Sequence, residues 1–220
     1  MKCKLYNKED LLKLYCDNMR EIKRRTIAIA EIFNKTKSTS FQATNIEFCC
    51  LQLRKIIELV ILSSLITNKN KYEEIYNGLK NDWNAKKISD NLSAINLNYF
   101  PKPIRKEKIV GVEKDNLLNN GIDSKNITDK FFNDVENTIT ETEIIDAYYK
   151  LSSYMHARNP FAKGTKYNIE SYIIEILNKI INLLNCHQVF LYDSDYFFYI
   201  VMQSKETGDV AGNIFQKMTI

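Results

Sequence analysis

This sequence predicts an α+β protein that is predominantly α, a helical bundle of four or more helices with a small antiparallel β-meander at its C-terminal end. Three observations predict it. Apolar residues recur near the 3.6-residue helical period through most of the first 186 positions. The stretch 45–67 is apolar on most of its circumference, as a helix surrounded by others must be. After position 186 the pattern changes to short aromatic and β-branched runs divided by turn residues.

The first helix is expected over 10–33, where Leu11, Leu14, Tyr15, Met19, Ile22, Ile29 and Phe33 follow the helical period with Lys and Arg between them. A polar run at 34–40 ends it, and Thr44-x-x-Glu47 reads as a capping box opening the central helix over 45–67. On that apolar rod Glu47, Arg54 and Glu58 fall on one stripe, with Arg54 and Glu58 one turn apart. Shorter helices are expected at 72–79 and 84–95, with Trp83 between them.

The pattern then breaks. Pro101 and Pro103 make 99–103 extended, since proline restricts itself and its preceding residue. Val110-Gly111-Val112 reads as a short strand and the Asn/Asp/Gly/Ser-rich 115–128 as loop. Thr140-x-x-Glu143 is a second capping box, opening a helix that must stop near Asn159-Pro160. A last helix is expected at 167–184, followed by a three-strand meander at 189–192, 196–202 and 210–215. The domain reading is a bundle over 1–186 with an irregular insertion near 96–128, and a β-meander appendage over 187–220 packed on it.

Composition bounds the function. With 31 basic and 27 acidic residues the net charge is +4, too small an excess to mark a general nucleic-acid surface. Five cysteines without CxxC spacing, and two histidines, fit neither a disulfide framework nor a zinc site, so a reducing compartment and no metal are expected. No leader is read at Met1-Lys2-Cys3-Lys4-Leu5 and no stretch suggests a membrane span, so the expected location is cytoplasmic, with no membrane partner. Walker, GxGxxG, HExxH, GxSxG and calcium-loop signatures are absent, and six glycines leave little material for a phosphate cradle; no cofactor is expected.

The candidate chemistry concentrates in Tyr149-Lys150-Leu151-Ser152-Ser153-Tyr154-Met155-His156-Ala157-Arg158-Asn159-Pro160. Here a histidine stands beside an arginine and an asparagine at a helix C-terminus, a place that favours a cation. The plainer alternative is a pair of side chains that bind the last carbonyls of the helix. For Arg54 and Glu58 the plainer alternative is an ion pair that sets helix register. The functional one has Arg54 facing His156 across a cleft and holding an anion.

Leu51-Gln52-Leu53-Arg54-Lys55-Ile56-Ile57-Glu58 on the central helix, together with the Tyr-Lys-Leu-Ser-Ser-Tyr-Met-His stretch on a later one, resembles the HEPN superfamily of prokaryotic toxin and antiviral systems. The resemblance covers the helical part, roughly 10–184. It implies an RNA-directed protein of a bacterial defence or toxin system, and in many members a metal-independent endoribonuclease whose dimer joins two copies of an arginine, four to six residues and a histidine. Other members are non-catalytic scaffolds, which implies instead an interaction subunit of a defence or regulatory complex. On this resemblance His156 and Lys150 are the catalytic pair, Arg158, Asn159 and Arg54 hold phosphate or RNA, and Glu58 and Tyr149 orient the site. The partners it implies are RNA and a second copy or another protein. Lys150 stands where the family has arginine, and lysine lacks the planar fork that grips phosphate.

Overall fold

A computed structural model of the chain describes residues 6–76, 84–108, 129–156, 168–192 and 195–216. Its helices are α1 (Lys8–Phe33), α2 (Gln42–Thr67), α3 (Lys69–Tyr76), α4 (Ala85–Ile95), α5 (Glu141–Tyr154) and α6 (Ile169–Leu184). Its strands are β1 (Lys102–Pro103), β2 (Arg105–Lys108), β3 (Asp129–Phe132), β4 (Cys186–Phe190), β5 (Tyr196–Val201) and β6 (Ala211–Gln216). Among the described residues no helix is long and apolar enough to cross a membrane. Trp83, the 110–112 strand and the 115–128 loop fall outside the described residues.

The helix starts show why these segments fold where they do. At α1 the Asn7 Oδ1 accepts the Asp10 N–H at 2.7 Å, and Asn84 and Asn168 cap α4 and α6 in the same way. At α5 the expected box is present: Glu143 N–H donates to Thr140 Oγ1 at 3.2 Å and Thr140 N–H to Glu143 Oε2 at 2.9 Å. Those contacts, the Thr140 N–H first and Lys179 next, hold the Glu143 carboxyl below the usual carboxylate range. The expected box at Thr44 and Glu47 is corrected. Phe41 is extended and α2 already starts at Gln42, so Thr44 lies one turn inside and its Oγ1 accepts the Phe41 N–H at 3.2 Å.

α2 runs through the middle. Cys49, Cys50, Leu53, Ile56, Ile57, Val60 and Ile61 are all buried, and α1, α4, α5 and α6 pack around them. Burial also pushes the thiols up, to about 11 for Cys49 and about 12 for Cys50, so they serve as small apolar side chains. Two polar contacts cross the α1–α2 seam: Asn18 donates to Ser63 and Arg25, through one Nη, to Gln52.

The three-strand meander is present as β4-β5-β6, and β1 extends it to a four-strand antiparallel sheet of order β1-β4-β5-β6, because Lys102 and Pro103 pair with Gln188 and His187. β2 and β3 form a separate antiparallel ribbon, Arg105 opposite Phe132, which the sequence pattern did not announce. Alternation along the strands gives the sheet two apolar faces. Val189, Phe198 and Ile200 join the bundle core, while Phe197, Tyr199 and Phe215 gather with Ile104 on the other side. β6 approaches α1 closely at Gly212, where a Cβ would lie 2.8 Å from Leu12 Cδ1 and 2.9 Å from Cys16 Sγ, so a larger residue would make those side chains shift.

The second histidine, His187, links the two layers. It is fully buried on β4; its Nδ1 lies 2.8 Å from Leu184 O and its Nε2 2.9 Å from the Tyr15 hydroxyl of α1. These partners assign a neutral ring, with Nδ1–H donating to the carbonyl and Nε2 accepting from the phenol. Burial lowers the His187 pKa to about 4 and raises that of Tyr15, so both stay uncharged at neutral pH.

Because an unfolded histidine gains its proton near pH 6.5 while His187 waits until about 4, stability is lost as the pH falls through that window. The loss reaches roughly 2 kcal/mol by pH 5. Urea unfolding at pH 7 and pH 5 tests this: a His187→Gln variant, though less stable at both, should show a clearly smaller difference between them. Equal differences in parent and variant would refute the assignment.

Candidate functional site

The residues expected to act together belong to α2 and α5, which lie side by side. Arg54 projects from α2 onto Tyr148 of α5. One Nη donates to the Tyr148 hydroxyl at 2.7 Å, and the guanidinium carbon lies 4.6 Å from the centre of that ring. Arg54 Nε sits 3.4 Å from Glu58 Oε1, within ion-pair range but without hydrogen-bond alignment. Glu58 also receives Lys55 Nζ at 2.9 Å. With side chains 29% and 18% exposed, Arg54 and Glu58 form a half-buried network rather than a pair of solvated charges.

α5 carries the remaining candidates in different directions. Tyr148 faces the core with Ile144, Ala147 and Leu151, while Tyr149 is 46% exposed, its ring set edge-on to that of Tyr148. Lys150 turns toward α6, where its Nζ lies 3.7 Å from the centre of the Tyr172 ring. His156 follows the C-cap residue Met155 and is exposed. α5 ends at Tyr154, so its regular geometry does not carry through from Lys150 to His156. Lys150 and His156 therefore do not converge by helix geometry alone. Arg158 and Asn159 fall outside the described residues.

The structure thus joins Arg54, Glu58 and Tyr148, turns Lys150 toward α6 and leaves His156 just past the end of α5. Tyr148 is the member that the sequence reading missed. Its position among buried apolar residues of α5 marked it as core, and only the approach of α2 reveals its hydroxyl as the partner of Arg54. Next to the network, a cavity of about 160 Å³ is bordered by Arg25, Lys55, Glu58, Leu59 and Ile88. That volume admits a few waters or a small ion, and lies below the roughly 300 Å³ from which organic-ligand sites begin.

Compared with protein-family models, with curated proteins and with solved structures, the chain matches none.

The Arg54–Tyr148 contact makes a separable contribution to the α2–α5 interface. In a double-mutant cycle with Arg54→Met and Tyr148→Phe, a coupling energy of about 1–2 kcal/mol is expected in urea unfolding. Additive effects within about 0.3 kcal/mol would show that the two side chains are merely neighbours.

Proposed function

We propose that this chain is an RNA-directed, HEPN-like protein of a bacterial defence or toxin system, in which His156 meets the RNA as general acid or base. One observation supports it above the others. Of the two histidines, His187 is locked in the core as a neutral ring, whereas His156 stands in solvent at the end of a helix that Arg54 anchors to the centre of the bundle. An imidazole so placed can take the proton of a ribose 2′-hydroxyl as its oxygen attacks the adjacent phosphorus, the P–O5′ bond breaks to leave a 2′,3′-cyclic phosphate, and the leaving oxygen takes a proton from water. That reaction needs a cation near the phosphate. Lys150 supplies it by leaving Tyr172, or a second copy of the chain supplies its own, which is the role of the proposed dimer.

The alternative is a non-catalytic scaffold for another protein. A specific observation favours it: Arg54 and Lys150, two of the cations in the proposed site, are already engaged by Tyr148, Glu58 and Tyr172.

Incubating the purified protein with a mixed RNA pool in EDTA separates the two. On the nuclease reading the parent cleaves, and His156→Ala cleaves at least about 100-fold more slowly. If the parent leaves RNA intact, or His156→Ala matches it, the catalytic role of His156 is lost and the scaffold reading replaces it.

A further inference from the structure

A second and larger cavity, about 480 Å³, opens where the start of α1 meets the α2–α3 junction and the end of β4. Its size lies within the range of small-ligand sites. Tyr6, Lys8, Lys69, Asn70, Lys71 and Tyr192 line it, with Glu9 contributing an acidic group. Lys69 Nζ lies 3.5 Å from the centre of the Tyr6 ring and Lys71 Nζ 5.8 Å from that of Tyr192, while Lys8 Nζ lies 3.1 Å from the centre of the Tyr196 ring.

The backbone points to an anion as well. Asn68 occupies the position before α3 where an asparagine ordinarily caps a helix. Its amide is turned inward instead: Nδ2 donates to Ser64 O at 2.8 Å and Thr67 Oγ1 at 3.0 Å, and Oδ1 accepts from Asn96 at 2.9 Å. The residue best suited to cap α3 therefore does not do so, and the first-turn N–H groups of α3 border the cavity beside the C-terminal end of α2. Lys69 pairs with Glu73 at 3.7 Å and Lys71 with Glu74 at 3.0 Å. The Lys71–Glu74 pair, whose carboxylate is exposed, is worth about 0–1 kcal/mol, less than the roughly 1.5–3 kcal/mol of a hydrogen bond to a charged group, and the half-buried Lys69 meets Glu73 only beyond hydrogen-bond distance, so a phosphate can displace the carboxylates.

We propose that this cavity binds a phosphorylated nucleoside, with the phosphate held by Lys69, Lys71 and the start of α3, and the base laid against the Tyr6 and Tyr192 rings. The ligand is either a free nucleotide or the terminal nucleotide of an RNA strand, since both present the same phosphate and ring. None of the cavity residues belongs to the His156 site, so this proposal and the preceding one fail separately.

Calorimetric titration of the full chain with AMP, adenosine and inorganic phosphate tests the site, with a short RNA strand in 5′-phosphorylated and unphosphorylated forms as further arms. AMP should bind at least about tenfold more tightly than adenosine or phosphate alone, because each supplies half of the contacts. A Lys69→Ala/Lys71→Ala double variant should lose at least about tenfold in AMP affinity, with its thermal midpoint close to that of the parent. A phosphorylated strand that binds as well as AMP identifies the RNA end as the source of the ligand; binding of AMP alone identifies a free nucleotide. Absence of AMP binding at millimolar concentration, or equal affinity in the double variant, would overturn the proposal.

Discussion

The burial of α2 is the constraint on which the rest of this structure depends. A helix with apolar side chains on most of its circumference is stable in water only when other elements surround it. α1, α4, α5 and α6 each cover part of it. Each fully buried Leu, Ile or Val on it is worth about 1.5–3 kcal/mol relative to exposure, far more than any polar contact in the seams. The surrounding helices need only one apolar stripe apiece, and their outer faces are free to carry the charges that give the chain its near-balanced composition.

Polar groups close to α2 are therefore held to specific partners. Arg54 is received by Tyr148 and Glu58, and Ser63 is matched by Asn18. The same rule governs the contact between helices and sheet. His187 enters the core as a neutral ring because both of its nitrogens find partners, Leu184 O and the Tyr15 hydroxyl. A buried imidazolium at that place would lack a counter-charge, which is why burial moves its titration well into the acid range.

These constraints divide the chemistry of the surface. The α5 candidates diverge because consecutive helical residues are turned by about 100°, so Tyr148, Tyr149 and Lys150 serve the core, solvent and α6 in turn. Convergence of cations and rings occurs elsewhere, at the junction of α1, α3 and β4, where three segments remote in sequence meet. No short motif marks such a site, because its members come from three separate stretches of chain, 6–11, 67–71 and 191–192.

The sequence by itself determined the α+β class, the central place of α2, the Thr140–Glu143 box and the approximate extent of the helices. Each of these is local: periodicity and capping depend on residues within a few positions of one another. The tertiary structure alone decided what depends on distant pairing. Pro103 joins the sheet as an edge residue opposite His187, Thr44 lies inside α2 because the helix starts earlier against its neighbours, and the hydroxyl of Tyr148 belongs to Arg54. It also separated two histidines that composition counts alike. One is enclosed between Tyr15 and Leu184, and the other stands in solvent; burial, which decides their chemistry, is a property of the assembled fold.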